Sequence, residues 1–174
     1  MTYKEKILKV NRQRLERIIK SYRTQFTAAM RAASFGLCKS IIKHALDYEH
    51  TKIGIVGSRR RNSSTAYRRT EKLFLQIYHK GDTIVNGGCP KGGDLFAEKI
   101  ATKHNIPIEI FYPNWKLGRH AGFLRNTDIA RCSDILIAVV AKDRRGGTED
   151  TIQKFKNLHP NSPIILLLPR GQLK

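Results

Sequence analysis

Residues 85–94, Val-Asn-Gly-Gly-Cys-Pro-Lys-Gly-Gly-Asp, place four glycines between a short apolar strand and the start of a helix. The strand is predicted at 83–85, and the spacing of apolar residues predicts the helix from 95 onward. Glycines let the backbone approach another group closely because they carry no Cβ. The helix start adds free N–H groups and a partial positive charge. The segment therefore predicts a site for phosphate or another anion, with a plain tight connection as the alternative.

Three similar turns occur elsewhere in the chain. Gly-Ser-Arg at 57–59 ends the apolar stretch 53–56, and the segment 118–126 leads into another helix. Arg-Gly-Gly-Thr at 145–148 follows the strongly apolar run 135–141. Glycines thus collect where strands end and helices begin, beside Arg, Ser, Thr and Asn. Plain turns do not need those polar neighbours, so the turns favour a binding site.

From residue 51 onward, predicted strands and helices alternate, and several strands are continuous apolar runs, as in sheets that are covered on both faces. Five strands and four crossover helices predict an α/β, Rossmann-like, doubly wound parallel sheet. A strand order of 3-2-1-4-5 would place the ligand crevice between the ends of the first and fourth strands. The strands are predicted at about 52–57, 83–86, 107–111, 134–140 and 164–168, and the helices at about 64–80, 93–104, 120–132 and 148–158.

The first fifty residues differ from the rest, so we divide the chain into a basic helical extension, 1–50, and a nucleotide-binding domain, 51–174. An apolar stripe at helical spacing runs through Leu15, Ile18, Tyr22 and Phe26, and a second helix is predicted at about 37–48. The favoured interpretation is a helical pair that covers part of the sheet. The alternative is an arm that binds nucleic acid or forms an oligomer, and the chain is expected to be a homo-oligomer.

The formal net charge of +19 favours an anionic partner: a nucleotide, a nucleic acid or an acidic surface. A protein that is merely basic is the alternative. No apolar stretch is long enough to span a membrane, and the first residues do not resemble a secretory signal. The three cysteines are an odd number and lack metal-ligand spacing, which fits a reducing cytoplasm. We predict no structural metal and no resident cofactor.

The glycine turns, taken in order, resemble those of the SLOG superfamily, and in particular its YspA-type branch. This Rossmann-like group includes the Lonely Guy (lysine-decarboxylase-like) phosphoribohydrolases, DNA-processing protein A and nucleotide-sensing modules. The resemblance extends over about residues 52–158 and leaves the first fifty residues outside it. The matching pieces are Gly57-Ser58-Arg59, Asn86-Gly87-Gly88, Gly92-Gly93-Asp94, Pro113-Asn114-Trp115, Ala121-Gly122, Arg125-Asn126 and Gly147-Thr148 with Thr151.

The resemblance implies a nucleotide or other phosphate-containing ligand, and many members of the group occur in phage or phage-defence settings. Lonely Guy enzymes carry a glutamate three residues after the threonine of their glycine motif, and this chain has Thr151 there. That departure counts against hydrolysis of an N-glycosidic bond. The predicted ligand-binding residues are Gly57, Ser58, Arg59, Gly87, Gly88, Lys91, Gly92, Gly93, Asp94, Arg119, Gly122, Arg125, Asn126, Gly146, Gly147 and Thr148.

Individual roles follow from side-chain chemistry. Ser58 and Arg59 are expected to contact a phosphate. Asp94 is either a first-turn acid of its helix or a ligand of a ribose hydroxyl. Arg125 is expected to pair with phosphate, while Asn126 reads a base or holds the neighbouring loop; structural ties are the alternative for both. Trp115 either stacks on a base or packs beneath its loop.

Three functions remain open. The favoured one is a module that binds a nucleotide or a nucleotide derivative. The second is an enzyme that acts on such a ligand, an N-glycosidic hydrolase or a transferase, for which no catalytic residue can be named. The third is a nucleic-acid-binding protein of the DNA-processing protein A type, for which no recognised DNA-reading module is present.

Overall fold

The computed structural model describes residues 5–14, 16–17 and 50–169. Residues 5–14 and 16–17 are helical and are called the N-terminal helical segment. Among the described residues, no helix combines the length and the apolar character that a membrane crossing needs. The elements that follow are β1 (Lys52–Gly57), α1 (Ser64–Ile77), β2 (Thr83–Asn86), α2 (Gly93–His104), β3 (Ile108–Ile110), a 3-10 helix (Trp115–His120), α3 (Ala121–Cys132), β4 (Ile135–Val139), α4 (Gly147–Leu158) and β5 (Ile164–Leu167).

The five strands form one sheet in the order β3-β2-β1-β4-β5, and every neighbouring pair is parallel. The predicted doubly wound α/β fold and its strand order are confirmed. β1 lies at the centre, where Ile53 pairs with Ile84 on one side and with Ile135 on the other. The order reverses between β1 and β4, so the crevice opens beyond the carboxyl ends of these two strands.

Alternate residues of the strands serve two apolar cores, one on each face of the sheet. Ile53, Ile55 and Ile137 point to the face covered by α1 and α2, where Phe74 and Phe96 are buried. The second core, on the face covered by α3 and α4, is formed by buried Val56, Val85, Ile129, Ala130, Leu136, Ala138, Val140, Ile152 and Phe155. Burial of both faces explains why the strands read as continuous apolar runs.

The predicted boundaries hold to within one residue except at the end of α1. That helix was expected to reach residue 80 and ends at Ile77, because Tyr78 turns to an extended conformation with ψ 136°. The carbonyl of Ile77 accepts a hydrogen bond of 3.0 Å from Arg14 Nη1. A side chain from far away in the sequence thus satisfies a carbonyl at the helix end, and no local pattern signals it.

The N-terminal helical segment packs on the domain through a buried ion pair. Arg14 and Asp82 are both fully buried, and each guanidinium Nη donates to one carboxylate oxygen over 2.9 Å. Asp82 also accepts from the backbone N–H groups of Thr51, at 3.0 Å, and His79, at 2.8 Å. Val10 is buried in the core beside α1 and α2. The first part of the predicted extension therefore contacts the amino ends of β1 and β2.

The expected apolar stripe falls mostly outside the described residues. Leu15, Ile18, Tyr22 and Phe26 lie there, as does the second helix expected at about 37–48. The division of the chain at residue 50, and the choice between a covering helical pair and an arm, stay predictions.

We expect Arg14→Met to lower the free energy of unfolding by about 3–5 kcal/mol, because the Asp82 carboxylate would stay buried without its cation. Urea denaturation followed by circular dichroism measures the change. Arg12→Met is the matched control, since Arg12 lies on the same segment with a side chain that is 80% exposed. We expect that control to change stability by less than about 0.5 kcal/mol. Equal effects of the two substitutions would contradict the importance of the buried pair.

Candidate functional site

The loops that follow β1 and β4 are tied together above the central strands. The backbone N–H of Ser58 donates to the carbonyl of Val139 over 2.9 Å, which extends the β1–β4 pairing. Arg60 pairs with Asp143 through two hydrogen bonds of 2.8 Å, and Arg61 Nη1 donates to Val140 O over 3.0 Å. These contacts give the crevice one continuous wall where the fold predicts a ligand.

The start of α2 lies directly against the end of β1, where Gly57 faces Gly93. A Cβ placed on Gly57 would lie 2.8 Å from Gly93 Cα and 2.8 Å from Val139 Cβ, closer than real side-chain contacts. A Cβ on Gly93 would collide with the backbone of Val56 and Gly57. Both positions therefore need glycine for packing.

The loop between β2 and α2 is held by hydrogen bonds to side chains. Asn86 is buried, and its Nδ2 donates to the carbonyl of Asp94 over 3.0 Å while its Oδ1 accepts from Gly88 N–H over 3.1 Å. Gly92 N–H donates to Asn62 Oδ1 over 3.0 Å. The loop is thereby a firm edge of the crevice.

The predicted glycine turns meet around a cavity of about 460 Å3, hereafter the first cavity. Ser58 and Arg59 come from the loop after β1, Arg125 comes from α3, and Thr148 comes from the start of α4. The sequence-predicted residues that line it are Gly57, Ser58, Arg59, Asp94, Arg119, Gly122, Arg125, Asn126, Gly146, Gly147 and Thr148.

The other predicted residues lie elsewhere. Gly87, Gly88 and Lys91 line an adjoining second cavity of about 390 Å3. Gly92 and Gly93 line neither cavity; Gly92 lies against the carbonyl of Ser58, and Gly93 lies against β1. Both residues are glycines because the backbone packs closely there. The sequence pattern does not distinguish that cause from contact with a ligand.

Several residues that line the first cavity were not among the predicted binding residues. Cys89, Phe123, Arg145 and Thr151 all contribute to its wall. Arg145 directly precedes the Gly-Gly-Thr turn, so its place in the chain was a usable signal. Phe123 is 52% exposed, and only the fold reveals that its side chain lies at the cavity. Trp115 lines both cavities and is 65% exposed, so it does not pack beneath its loop.

The first cavity is strongly cationic. Arg59, Arg119 and Arg145 are exposed and have no carboxylate partner among the described residues. Arg60 also lines this cavity, but Asp143 neutralises its charge. Asp94 is the one carboxylate in the described wall of this cavity. The arrangement attracts anions and leaves several guanidinium groups with free donors.

Asp94 and Arg125 form a nearly buried pair at the floor of the first cavity. Asp94 is 6% exposed, and its Oδ2 lies 3.6 Å from Arg125 Nη1 and 3.2 Å from Cys89 N, which donates to it. Arg125 Nη1 also donates to the carbonyl of Gly87. Burial raises the pKa of Asp94 to about 6, although the Arg125 charge and the backbone donors oppose this shift. The carboxyl group can therefore change its charge just below neutral pH.

Asn126 ties α3 to the first turn of α4, which is the structural tie considered as the alternative for it. Its Nδ2 donates to the carbonyl of Gly147 over 3.2 Å and to Asp150 Oδ2 over 2.9 Å. Thr151 Oγ1 donates to the same carbonyl over 3.0 Å. The carboxylate of Glu149 pairs with Arg144 and that of Asp150 with Lys154. The position that corresponds to the Lonely Guy glutamate in sequence is therefore held by a threonine whose hydroxyl is engaged with Gly147 O.

Comparison of the sequence with known protein families, with curated proteins and with solved structures produced no match.

We expect Gly57→Ala to lower the free energy of unfolding by about 1–3 kcal/mol, because the added methyl group overpacks the contact with α2. The matched control is Gly122→Ala. A Cβ on Gly122 would have no neighbour within 4 Å, and the residue is helical. We expect that control to be neutral or up to about 1 kcal/mol more stable. Thermal and urea unfolding would measure both, and a harmless Gly57→Ala would contradict the tight contact.

The raised pKa of Asp94 predicts a stability that falls as pH rises. The pKa of Asp94 is about 6 in the folded chain, whereas the ordinary pKa of an exposed aspartate is 3.8. Between these values the folded state binds more protons than the unfolded state, so the free energy of unfolding decreases with increasing pH. The loss from this group is on the order of 3 kcal/mol between about pH 4 and pH 6.

Asp94→Asn removes that titration while keeping an oxygen that can accept from Cys89 N–H. We expect the variant to lose the Asp94 part of the pH dependence and to be more stable than the parent at pH 7–8. Urea midpoints measured from pH 4 to pH 8 test this. Parallel pH profiles for the two proteins would show that Asp94 does not titrate as described.

Proposed function

We propose that the first cavity binds a nucleotide or a nucleotide-derived phosphate ligand, and that the protein acts as a binding or sensing module. The observation that carries the proposal is a set of three guanidinium groups around one cavity at the switch point of the sheet. They belong to Arg59, Arg119 and Arg145, which have no carboxylate partner among residues 5–14, 16–17 and 50–169. Arginines from the loop after β1, from the 3-10 helix and from the turn before α4 suit an anion that several elements share.

The phosphate is placed at the start of α4. Gly147 and Thr148 begin that helix, and their N–H groups have no carbonyl partner within it, whereas the N–H groups of Glu149 and Asp150 donate to the carbonyl of Gly146. The helix dipole adds a partial positive charge at the same point. Arg145 precedes this turn and Arg59 follows β1, so both cations accompany the helix start at the first cavity. Together they match the charge and the acceptor oxygens of a phosphate group.

The remainder of the first cavity suits an uncharged ring. Val56, Phe123 and Ile129 supply apolar surface, and Trp115 lies at the wall. Ligand sites commonly combine apolar walls with a few well-placed polar groups. A nucleotide has both parts, whereas inorganic phosphate alone would leave the apolar wall uncovered.

Binding is favoured over hydrolysis of an N-glycosidic bond. The side chain at the position of the Lonely Guy glutamate is Thr151, and its hydroxyl is engaged with Gly147 O. The nearby Glu149 and Asp150 are held in ion pairs. We therefore assign the chain to the SLOG superfamily as a proposal, with a ligand-binding role and no catalytic residue.

Calorimetric titration with ADP, GDP, CDP and UDP tests the function. We expect at least one of them to bind, and we expect Arg59→Ala to weaken that binding by about 10- to 150-fold, because a hydrogen bond to a charged group contributes about 1.5–3 kcal/mol. Native mass spectrometry of the purified protein would reveal a co-purifying nucleotide.

Arg131→Ala is the matched control, because Arg131 is an exposed arginine of α3 that lines neither cavity. Its affinity for the same diphosphate should equal that of the parent. The proposal fails if none of the four diphosphates binds, or if Arg59→Ala and Arg131→Ala bind equally well.

A further inference from the structure

The first and second cavities share one wall. Arg59, Cys89, Trp115 and Arg125 line both of them. Each cavity alone, at about 460 and 390 Å3, lies in the lower part of the roughly 300–1,000 Å3 range typical of ligand sites. A ligand that crosses the shared wall could occupy both.

The shared wall is cationic, and each cavity has its own aromatic side chain. Arg59 provides an unpaired guanidinium group at the junction, and Arg125 provides a second one that lies 3.6 Å from Asp94 Oδ2. Phe123 lines the first cavity and Tyr112 the second, while Trp115 contacts both. The crevice therefore has an aromatic side chain in each cavity and arginines at the wall between them.

Exposed aromatic side chains are concentrated here. Among the large apolar residues that are exposed in the described part of the chain, three are aromatic: Tyr112 at 70%, Trp115 at 65% and Phe123 at 52%. All three line one or both cavities. Aromatic surface that stays open to water beside arginines is typical of sites where bases stack.

Tyr112 is also held in position by the glycine turn. A Cβ on Gly88 would lie 2.5 Å from Tyr112 Cε1 and 2.8 Å from Cδ1, so the ring rests directly on the glycine backbone. Gly88 has a φ of +65°, a conformation that favours glycine. The turn thus supports the ring at the mouth of the second cavity.

We propose that the two cavities together bind a dinucleotide, two nucleoside units joined 5′ to 5′ through phosphates. The bridging phosphates extend from the start of α4 to Arg59 at the shared wall, one base lies against Phe123 and Trp115, and the other lies against Tyr112. This inference rests on the proposed function and names the class of nucleotide. A single nucleotide would fill one cavity and leave the other ring surface open.

The test compares matched ligands that differ by one nucleoside. Calorimetric titration measures ADP, GDP, CDP and UDP against the symmetric 5′,5′-pyrophosphate dinucleotides of the same four bases. We expect at least one dinucleotide to bind about 5- to 150-fold more tightly than its diphosphate, as one added stacking contact predicts. In Tyr112→Ala the ratio of these two affinities should fall toward one, and Tyr112→Phe should restore it.

Leu75→Ala controls for the loss of an exposed apolar side chain outside both cavities, since Leu75 is 44% exposed on α1. Its affinity ratio should match that of the parent. If a diphosphate binds through Arg59 but no dinucleotide binds more tightly, or if the gain survives in Tyr112→Ala, the dinucleotide inference alone is wrong. If neither class of ligand binds, the proposed function fails with it.

Discussion

The approach of α2 to the end of β1 determines the shape of the crevice. Gly57 and Gly93 meet there without side chains, so the helix begins directly against the central strand. The same contact places Asp94 in the first turn of α2, buried at the floor of the first cavity. A larger residue at either position would move the helix outward and separate Asp94 from Arg125. The geometry of the cationic cavity thus depends on the absence of two methyl groups.

Sequence periodicity was sufficient to predict the sheet, because strands that are buried on both faces leave continuous apolar runs between helices. The gathering of glycine turns at one edge followed from the strand order. The same pattern could not separate Gly93, which packs on β1, from Gly147, which faces the cavity. It also could not pair Arg14 with Asp82, since those residues are distant in sequence and neither lies in a local motif. Polar contacts between residues far apart in the sequence were therefore the main feature that could not be predicted.

The net charge of +19 describes the chain as a whole, whereas the crevice shows how charge is arranged locally. Arg60, which lines the first cavity, and Arg144 serve structure, because Asp143 and Glu149 neutralise them and fix their loops. Arg59, Arg119 and Arg145 line the cavity and have no carboxylate partner in the part of the chain that the structure describes. Counting basic residues could not have distinguished these two groups, since the distinction depends on which loops the fold brings together.

The buried pair of Arg14 and Asp82 fixes the N-terminal helical segment at one end of the strands. Asp82 directly precedes β2 and accepts from Thr51 just before β1, so the pair lies at the amino ends of the strands. The crevice opens at their carboxyl ends, which form the opposite edge of the sheet. Anchoring the protein to a solid support through its N-terminal helical segment would therefore leave the mouth of the crevice facing the solution. The common direction of the parallel strands thus places the N-terminal helical segment and the first cavity at opposite ends of the sheet.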